Sequence, residues 1–413
     1  LCASRIAASS TYGSNWYMKG HCRLASAIAD APAWTEEKRQ EVYERFVLPY
    51  ATELTKFPAP ISNMTDITNH NLLLLGIAFD DAHLVRWATR TDAGVVSRLR
   101  DIDEDGFSSE GRPLNYHFAA MSEYLPSLVF LENSGLDIPY PKERLLEAIR
   151  MPYRRATLTG QVPSTGDCGR GQGVRNNRLA DYLISIFPDE EWLYEIGGAS
   201  TITKRLWLLK TGRRPDAGAW KKLLETQPRL FRHAGMAILR SGTTPETQIM
   251  ATLDYGKNVF HAALDRNQVT LWAFGKTFTH GPGSLYNAGS GGMKRVRDPR
   301  LESFCSHGSL GHNLVLVDRR DQLGAVGRLL AWNGDPEFQV AVSRVPGVRP
   351  GVDHTRALVL RDDVLVMLDR VESDEEHLYD CVYHNFGRLE AGEGWSIGAA
   401  APLGETANCE NVV

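Results

Sequence analysis

Tyr116 and His261 are the side chains in this sequence best placed to move a proton. Tyr116 closes the stretch Asp105 to His117, which reads Asp-Gly-Phe-Ser-Ser-Glu-Gly-Arg-Pro-Leu-Asn-Tyr-His. A phenol works as acid or base near neutrality only where cations or hydrogen-bond donors lower its pKa. His70, Arg112 and His117 are the candidate neighbours. His261 opens His-Ala-Ala-Leu-Asp, ending at Asp265. A tyrosine at a helix start packs more often than it reacts, and a lone histidine is usually a satisfied structural group. The two become a site only if a helix-patterned half and a strand-patterned half share one cleft.

Other candidates surround them. Asn69-His70 reads as the opening of a leucine-rich helix, with Asn69 as its N-cap; alternatively both residues donate to an oxyanion. Glu110 either bonds backbone N–H groups of its loop or faces a ligand. The run Gly166-Asp-Cys-Gly-Arg-Gly lacks the Lys-Ser/Thr of a phosphate loop and follows no strand. It reads as a tight loop beside a cleft, with Arg170 or Arg175 able to hold a carboxylate. Arg240 and Tyr286 are further cleft candidates. Asp167 with Glu110 or Asp81 would be the pair for two-carboxylate glycoside hydrolysis.

The elements that must position these groups fall into two kinds. Up to about residue 230 the spacing is helical: 36–54, 69–87, 116–131, 142–150, 177–186 and 219–225. The 69–87 segment is apolar around most of its circumference, as a helix buried on most sides would be. Beyond it come short β-rich runs at 236–239, 247–254, 268–274, 314–318, 338–345, 356–360 and 364–369. Turn residues separate them at Ser241-Gly, Gly281-Pro-Gly, Asn333-Gly-Asp and Arg361-Asp-Asp. The expected architecture is a helical domain over 1–228 followed by an antiparallel β-sandwich over 229–413.

The 413 residues are 43% hydrophobic and 23% charged, with a net charge of -4. Such a chain can bury sizeable cores and gives no reason to expect nucleic-acid binding. No apolar run approaches the roughly 18 residues of a membrane helix. The sequence has no Met start and no clear signal peptide, which points to numbering that begins after a processed or trimmed segment. Six scattered cysteines form no C-x-x-C pair and admit one or two disulfides in an oxidising compartment.

Taken in order, these motifs resemble the heparinase II/III-like polysaccharide lyases, a superfamily that includes alginate lyase relatives. The resemblance rests on Asp105-Gly-Phe with Glu110 and Tyr116-His117, the segment Phe231 to Arg240, Asp254-Tyr-Gly with His261 and Asp265, Phe274-Gly275, Pro282-Gly283, Tyr286 and His312-Asn313. It covers most of the chain. It implies an incomplete (α/α) toroid joined to an antiparallel β-sandwich, secreted or periplasmic, that cleaves an anionic, uronate-containing polysaccharide by β-elimination. By resemblance, Asn69 and His70 would neutralise the uronate carboxylate, Tyr116 would be the acid and in part the base, and His261 would be its partner. Glu110, Arg112, His117, Arg170, Arg175, Arg240 and Tyr286 would contact the substrate. Many relatives hold zinc with two further ligands and a later histidine. Here those two positions are Ala263 and Gly281, leaving His312; His280 or Asp265 would have to substitute, so no cofactor is expected. A hydrolase on the same fold, or a non-catalytic carbohydrate-binding protein, is the alternative.

Overall fold

The computed structural model describes residues 11–29, 31–56, 62–110, 112–166, 168, 172–175, 177–196, 201–256, 261–279, 281 and 308–385. The chain folds as two compact units, one of residues 1–151 and 175–223, the other of residues 152–174 and 224–413. The cut expected between 228 and 229 lies close to the later boundary. Residues 152–174 also leave the helices, and hydrogen bonds show why. Leu158 N donates to Gln248 Oε1 at 2.8 Å, and Arg240 Nη2 donates to Arg154 O at 2.6 Å. The segment folds back on itself through an antiparallel bridge between Gln161 and Gly173.

The first unit is helical. Helix α1 (Thr11–Ile28) is followed by α2 (Glu36–Val42), which runs through a π turn (Tyr43–Val47) into α3 (Leu48–Lys56). Pro49 supplies a reason for that turn, because it has no N–H for a carbonyl one turn back and its ring crowds it. Next come α4 (Asn63–Ala78), α5 (Ala82–Arg90), α6 (Val95–Arg100), α7 (Leu114–Asn133), α8 (Lys142–Arg155), α9 (Asn177–Ile186) and α10 (Thr201–Thr211). The 219–225 segment is a 3-10 turn (Ala219–Leu223), not an α-helix.

Helix α4 lies at the centre, packed on α1, α5 and α7. Leu72, Leu73 and Leu75 are fully buried, each worth about 1.5–3 kcal/mol by removal from water. Two sequence expectations are corrected here. First, α4 begins at Ser62, not Asn69. Ser62 Oγ accepts from Met64 N at 3.2 Å, and Thr65 Oγ1 accepts from Ser62 N, completing a capping box. Second, the expected 69–87 helix is two helices. Asp80 takes a left-handed conformation (φ 55°), and Asp81 caps α5 by accepting from His83 N at 2.8 Å and Leu84 N at 3.2 Å. Apolar periodicity runs through this break, so patterning alone does not reveal it.

The second unit is built of antiparallel sheets. Five strands, β1 (Arg229–Phe231), β2 (Met236–Ser241), β3 (Ile249–Asp254), β4 (Gln268–Ala273) and β5 (Lys276–Thr279), pair in chain order. β6 (Val315–Val317) pairs with β11 (Tyr379–Cys381). A third sheet has the order β10-β9-β8-β7, from β7 (Arg328–Asp335), β8 (Phe338–Arg349), β9 (Val352–Arg361) and β10 (Val364–Ser373). Leu239, Ala251 and Leu253 share one core with Ala341, Leu358 and Leu360, so the five-stranded and four-stranded sheets bury one another's faces. Reciprocal bonds cross that core: Arg240 N donates to Gln339 Oε1 at 2.7 Å, and Gln339 Nε2 donates to Arg240 O at 2.5 Å. Asn333-Gly-Asp, expected as a turn, belongs to β7. The hairpin turns at Pro336-Glu337, where Glu337 N donates to Asp335 Oδ1 at 2.9 Å.

Cys22, Cys168 and Cys381 carry thiols, not disulfides. Among the described residues, no helix is long and apolar enough to cross a membrane.

Candidate functional site

In the helical unit the Asp-Gly-Phe turn is built as the sequence suggests. Asp103 Oδ1 accepts from Asp105 N at 2.9 Å and from Phe107 N at 2.8 Å. Gly106 has φ 87°, and a Cβ there would strike the Glu147 carbonyl. The loop is then tied to the start of α4. Glu110, fully buried, accepts from Asn63 N at 2.8 Å through Oε1. Its carboxylate thus faces the positive end of the helix that carries Asn69 and His70. Arg98 extends the tie, donating to Ser109 Oγ at 3.0 Å and pairing with Asp66 at 3.0 Å. Burial pushes the Asp66 carboxyl up to about 6 against the pull of Arg98. Pro113 precedes α7, placing Tyr116 in the first turn of that helix, half-buried.

Asn69 and His70 are mid-helix and buried. Asn69 Nδ2 donates to Ala93 O at 2.7 Å, while its Oδ1 has no hydrogen-bond partner. His70 Nδ1 lies 3.1 Å from Ser127 Oγ, and that hydroxyl donates its proton to Glu123 O at 3.1 Å. His70 Nδ1–H must therefore be the donor, leaving Nε2 as a bare lone pair with no partner. Burial, aided by Arg23 and Lys19, pushes the imidazole down to about 3, so His70 is neutral at physiological pH. His117 is fully buried on α7, with Nε2 donating to Ala148 O at 2.9 Å on α8. Arg112 is buried in the same loop. Arg175 is exposed, its guanidinium 5.2 Å from the Trp220 ring centre.

The hydrolase pair gains nothing from this geometry. Asp81 is a helix cap that also accepts from Tyr43 OH at 2.7 Å. Burial raises its pKa, but the bonds from Tyr43, Leu84 and His83 outweigh it and hold the carboxyl below its usual range. A group so held is ionised, not a proton donor.

In the strand-rich unit, His261 is half-buried with φ 64°. Gly166 packs directly on it. A Cβ on Gly166 (φ 53°) would collide with the His261 carbonyl oxygen. Nearby, Arg266 is buried between two carboxylates, 3.2 Å from Asp254 Oδ1 and 3.0 Å from Asp265 Oδ1. His312 Nδ1 hydrogen-bonds Gln268 Oε1 and lies 3.6 Å from Asp265 Oδ2. Gly281 packs against both: a Cβ there would be 3.0 Å from Gln268 Oε1 and 3.2 Å from His312 Nδ1. Positions 281 and 312 are therefore neighbours, as the resemblance implied. Among the described residues, Asp265 faces Arg266 and His312 Nδ1 faces Gln268; His280, the other residue named for a zinc site, lies outside them. Among the described residues no three His, Cys, Asp or Glu side chains converge.

Arg240 is also fully buried, and its guanidinium donates to Gln227 O at 3.1 Å and Arg154 O at 2.6 Å. Burial lowers it to about 10. Its visible bonds hold 152–174 and the start of β1 against the sheet. Arg170, Tyr286, Asp167 and His280 lie outside the described residues. Sequence reasoning overlooked Ser127, which sets the His70 tautomer, and Arg266, the central cation of the strand-rich cluster. Neither belongs to a spacing motif; only a fold brings them to their partners.

The fold is that of the heparinase III structures. One heparinase III crystal structure superposes with a TM-score of 0.65 at 18% identity, covering 87% of this chain and 55% of its own. A second heparinase III gives 0.64 at 16% identity, with coverage of 89% and 56%. The heparan sulfate lyase HepC of Pedobacter heparinus gives 0.57 at 18% identity, with coverage of 85% and 54%. The chain thus spans little more than half the length of these structures. No family model matches its sequence, and no curated protein matches it.

Proposed function

We propose that this chain is a lyase for a uronate-containing polysaccharide, with an incomplete (α/α) toroid and an antiparallel β-sandwich, working in a secreted or periplasmic setting. The observation that carries the reading is the heparinase III fold over 89% of the chain. Heparinase III and heparan sulfate lyase, whose structures this chain resembles, make an acidic glycosaminoglycan the first polymer to try.

The reaction makes definite demands. A base removes the C5 proton, the electron pair forms the C4–C5 double bond, the C4–O bond breaks, and an acid protonates the departing oxygen. The C5 proton becomes acidic enough only if the adjacent carboxylate is neutralised. In this reading Tyr116 gives the proton to the leaving oxygen, and His261 or the Tyr116 phenolate takes the C5 proton. Asn69 retains a second amide hydrogen for the carboxylate. His70 has a lone pair, not a proton, on its buried Nε2; in this reading it serves as an acceptor. Glu110 and His117 hold the Tyr116 loop and helix through backbone bonds. In this reading Arg112 and Arg175 contact the polymer's anionic groups.

The test is a panel of uronate polymers assayed for the ultraviolet absorbance of the conjugated unsaturated product. A hydrolase would give new reducing ends without that absorbance, and a binding protein would give neither.

A further inference from the structure

The helical unit has a concave surface away from these residues. A groove of about 460 Å³ runs between the C-terminal end of α4, the length of α5 and the turn after α7. Ile77, Val85, Leu136 and Ile138 give it an aliphatic lining. Arg86 and Arg90 stand on its rim, both exposed. They are four residues apart on α5, so they rise from one helix face with bases about 6 Å apart. Among the described residues neither has a carboxylate partner. Of the two acids in the lining, Asp80 is paired with Arg39 at 2.6 Å, and Asp137 is the other.

Two like charges on one exposed helix face repel only weakly in water, but their guanidiniums match a sulfate or carboxylate in paired hydrogen bonds. An aliphatic floor beside them suits the C–H face of a sugar ring. The groove is not part of the Tyr116 neighbourhood. Tyr116 is in the first turn of α7 and Ser134 follows its last, and a helix of 20 residues is about 30 Å long.

We infer that this groove is a secondary binding site for an acidic saccharide chain, which it holds roughly one α7 length from Tyr116. The inference rests on the proposed reading of an anionic polysaccharide as substrate. A polymer long enough to span both places would bind more tightly than a short oligomer, by the effective concentration that the first contact supplies.

The test uses the double variant Arg86→Ala/Arg90→Ala in the full chain. In the Tyr116→Phe background, affinity for a long heparan sulfate chain should fall about tenfold, the loss of one well-made charged contact pair. In the active protein, KM for that polymer should rise by a similar factor, while KM and kcat for a tetrasaccharide stay within about twofold of wild type. Unchanged polymer affinity overturns the inference. Equal losses on polymer and tetrasaccharide also overturn it, since they place the arginines in the reaction or the fold. If the wild type cleaves no uronate polymer, the proposed function falls. The affinity arm then still decides the groove: a selective loss supports it and no loss rejects it.

Discussion

His70 shows how far burial sets the chemistry of a single residue. Its imidazole is pushed down from 6.5 to about 3. A group whose pKa is depressed by folding stabilises the fold fully above its unfolded value, near 6.5. That stability is lost as the pH falls towards 3. His70 should therefore lower the wild-type urea midpoint between pH 7 and pH 4.5, offset in part by Asp66, whose raised carboxyl gains stability as it protonates over the same interval. His70→Gln should lose less stability over that interval than the wild type. His354, lowered first by its own burial, retains part of the slope in the variant. Identical slopes would contradict the assignment of His70 as a buried neutral base. Arg266 is the counterpart in the strand-rich unit. Arg266→Met leaves Asp254 and Asp265 buried without their cation, and the expected loss is about 3–5 kcal/mol in urea unfolding. A loss below about 1 kcal/mol, the scale of an exposed pair, would show that the cluster is not dry.

At the scale of elements, the sequence announces what is periodic and conceals what is capped. The helix 177–186 and the strand starting at Gln268 lie where their patterns put them. The division of 69–87 does not follow from its pattern, because Phe79 continues the apolar series while Asp80 and Asp81 break the backbone. Asn69 reads as a cap because asparagine favours that position, yet Ser62 and Thr65 do the capping seven residues earlier. The Asp105 to His117 loop was legible as a turn leading into a helix, since Gly106 and Pro113 each constrain φ in a known way. Its attachment to α4 by Glu110 was legible only as one of two alternatives for that side chain. The link between Gly166 and His261 was not legible at all, being a close approach of two main chains far apart in sequence. It carries a prediction of its own. Gly166→Ala must shift the His261 backbone, and a displacement near 1 Å costs up to about 10²-fold in rate. The loss should appear in kcat with the circular dichroism spectrum intact. Unchanged kcat would mean that the His261 backbone position has no bearing on turnover.

At the scale of the whole molecule, the composition excluded nucleic-acid binding as an expectation but did not select a substrate. The ordered motifs did more than any one of them, because together they pointed to the fold that the heparinase III structures share. What the sequence left open is what tertiary contacts decide: which histidine is neutral, which carboxylate is already paired, and which arginines face outward without a partner. Arg240, attractive as a cleft residue by position, is seen bonded to main-chain carbonyls. Arg86 and Arg90, in no motif, are exposed and, among the described residues, without a carboxylate partner. The central claim is that a phenol on α7 protonates the leaving oxygen as an acidic sugar is eliminated. The most direct measurement follows ultraviolet absorbance on a uronate polymer with the wild type and with Tyr116→Phe. The account predicts a rise with the wild type and a rate about 10²–10⁴-fold lower in the variant, with an unchanged urea midpoint. A variant that keeps most of the wild-type rate, or a wild type that yields reducing ends without absorbance, would contradict it.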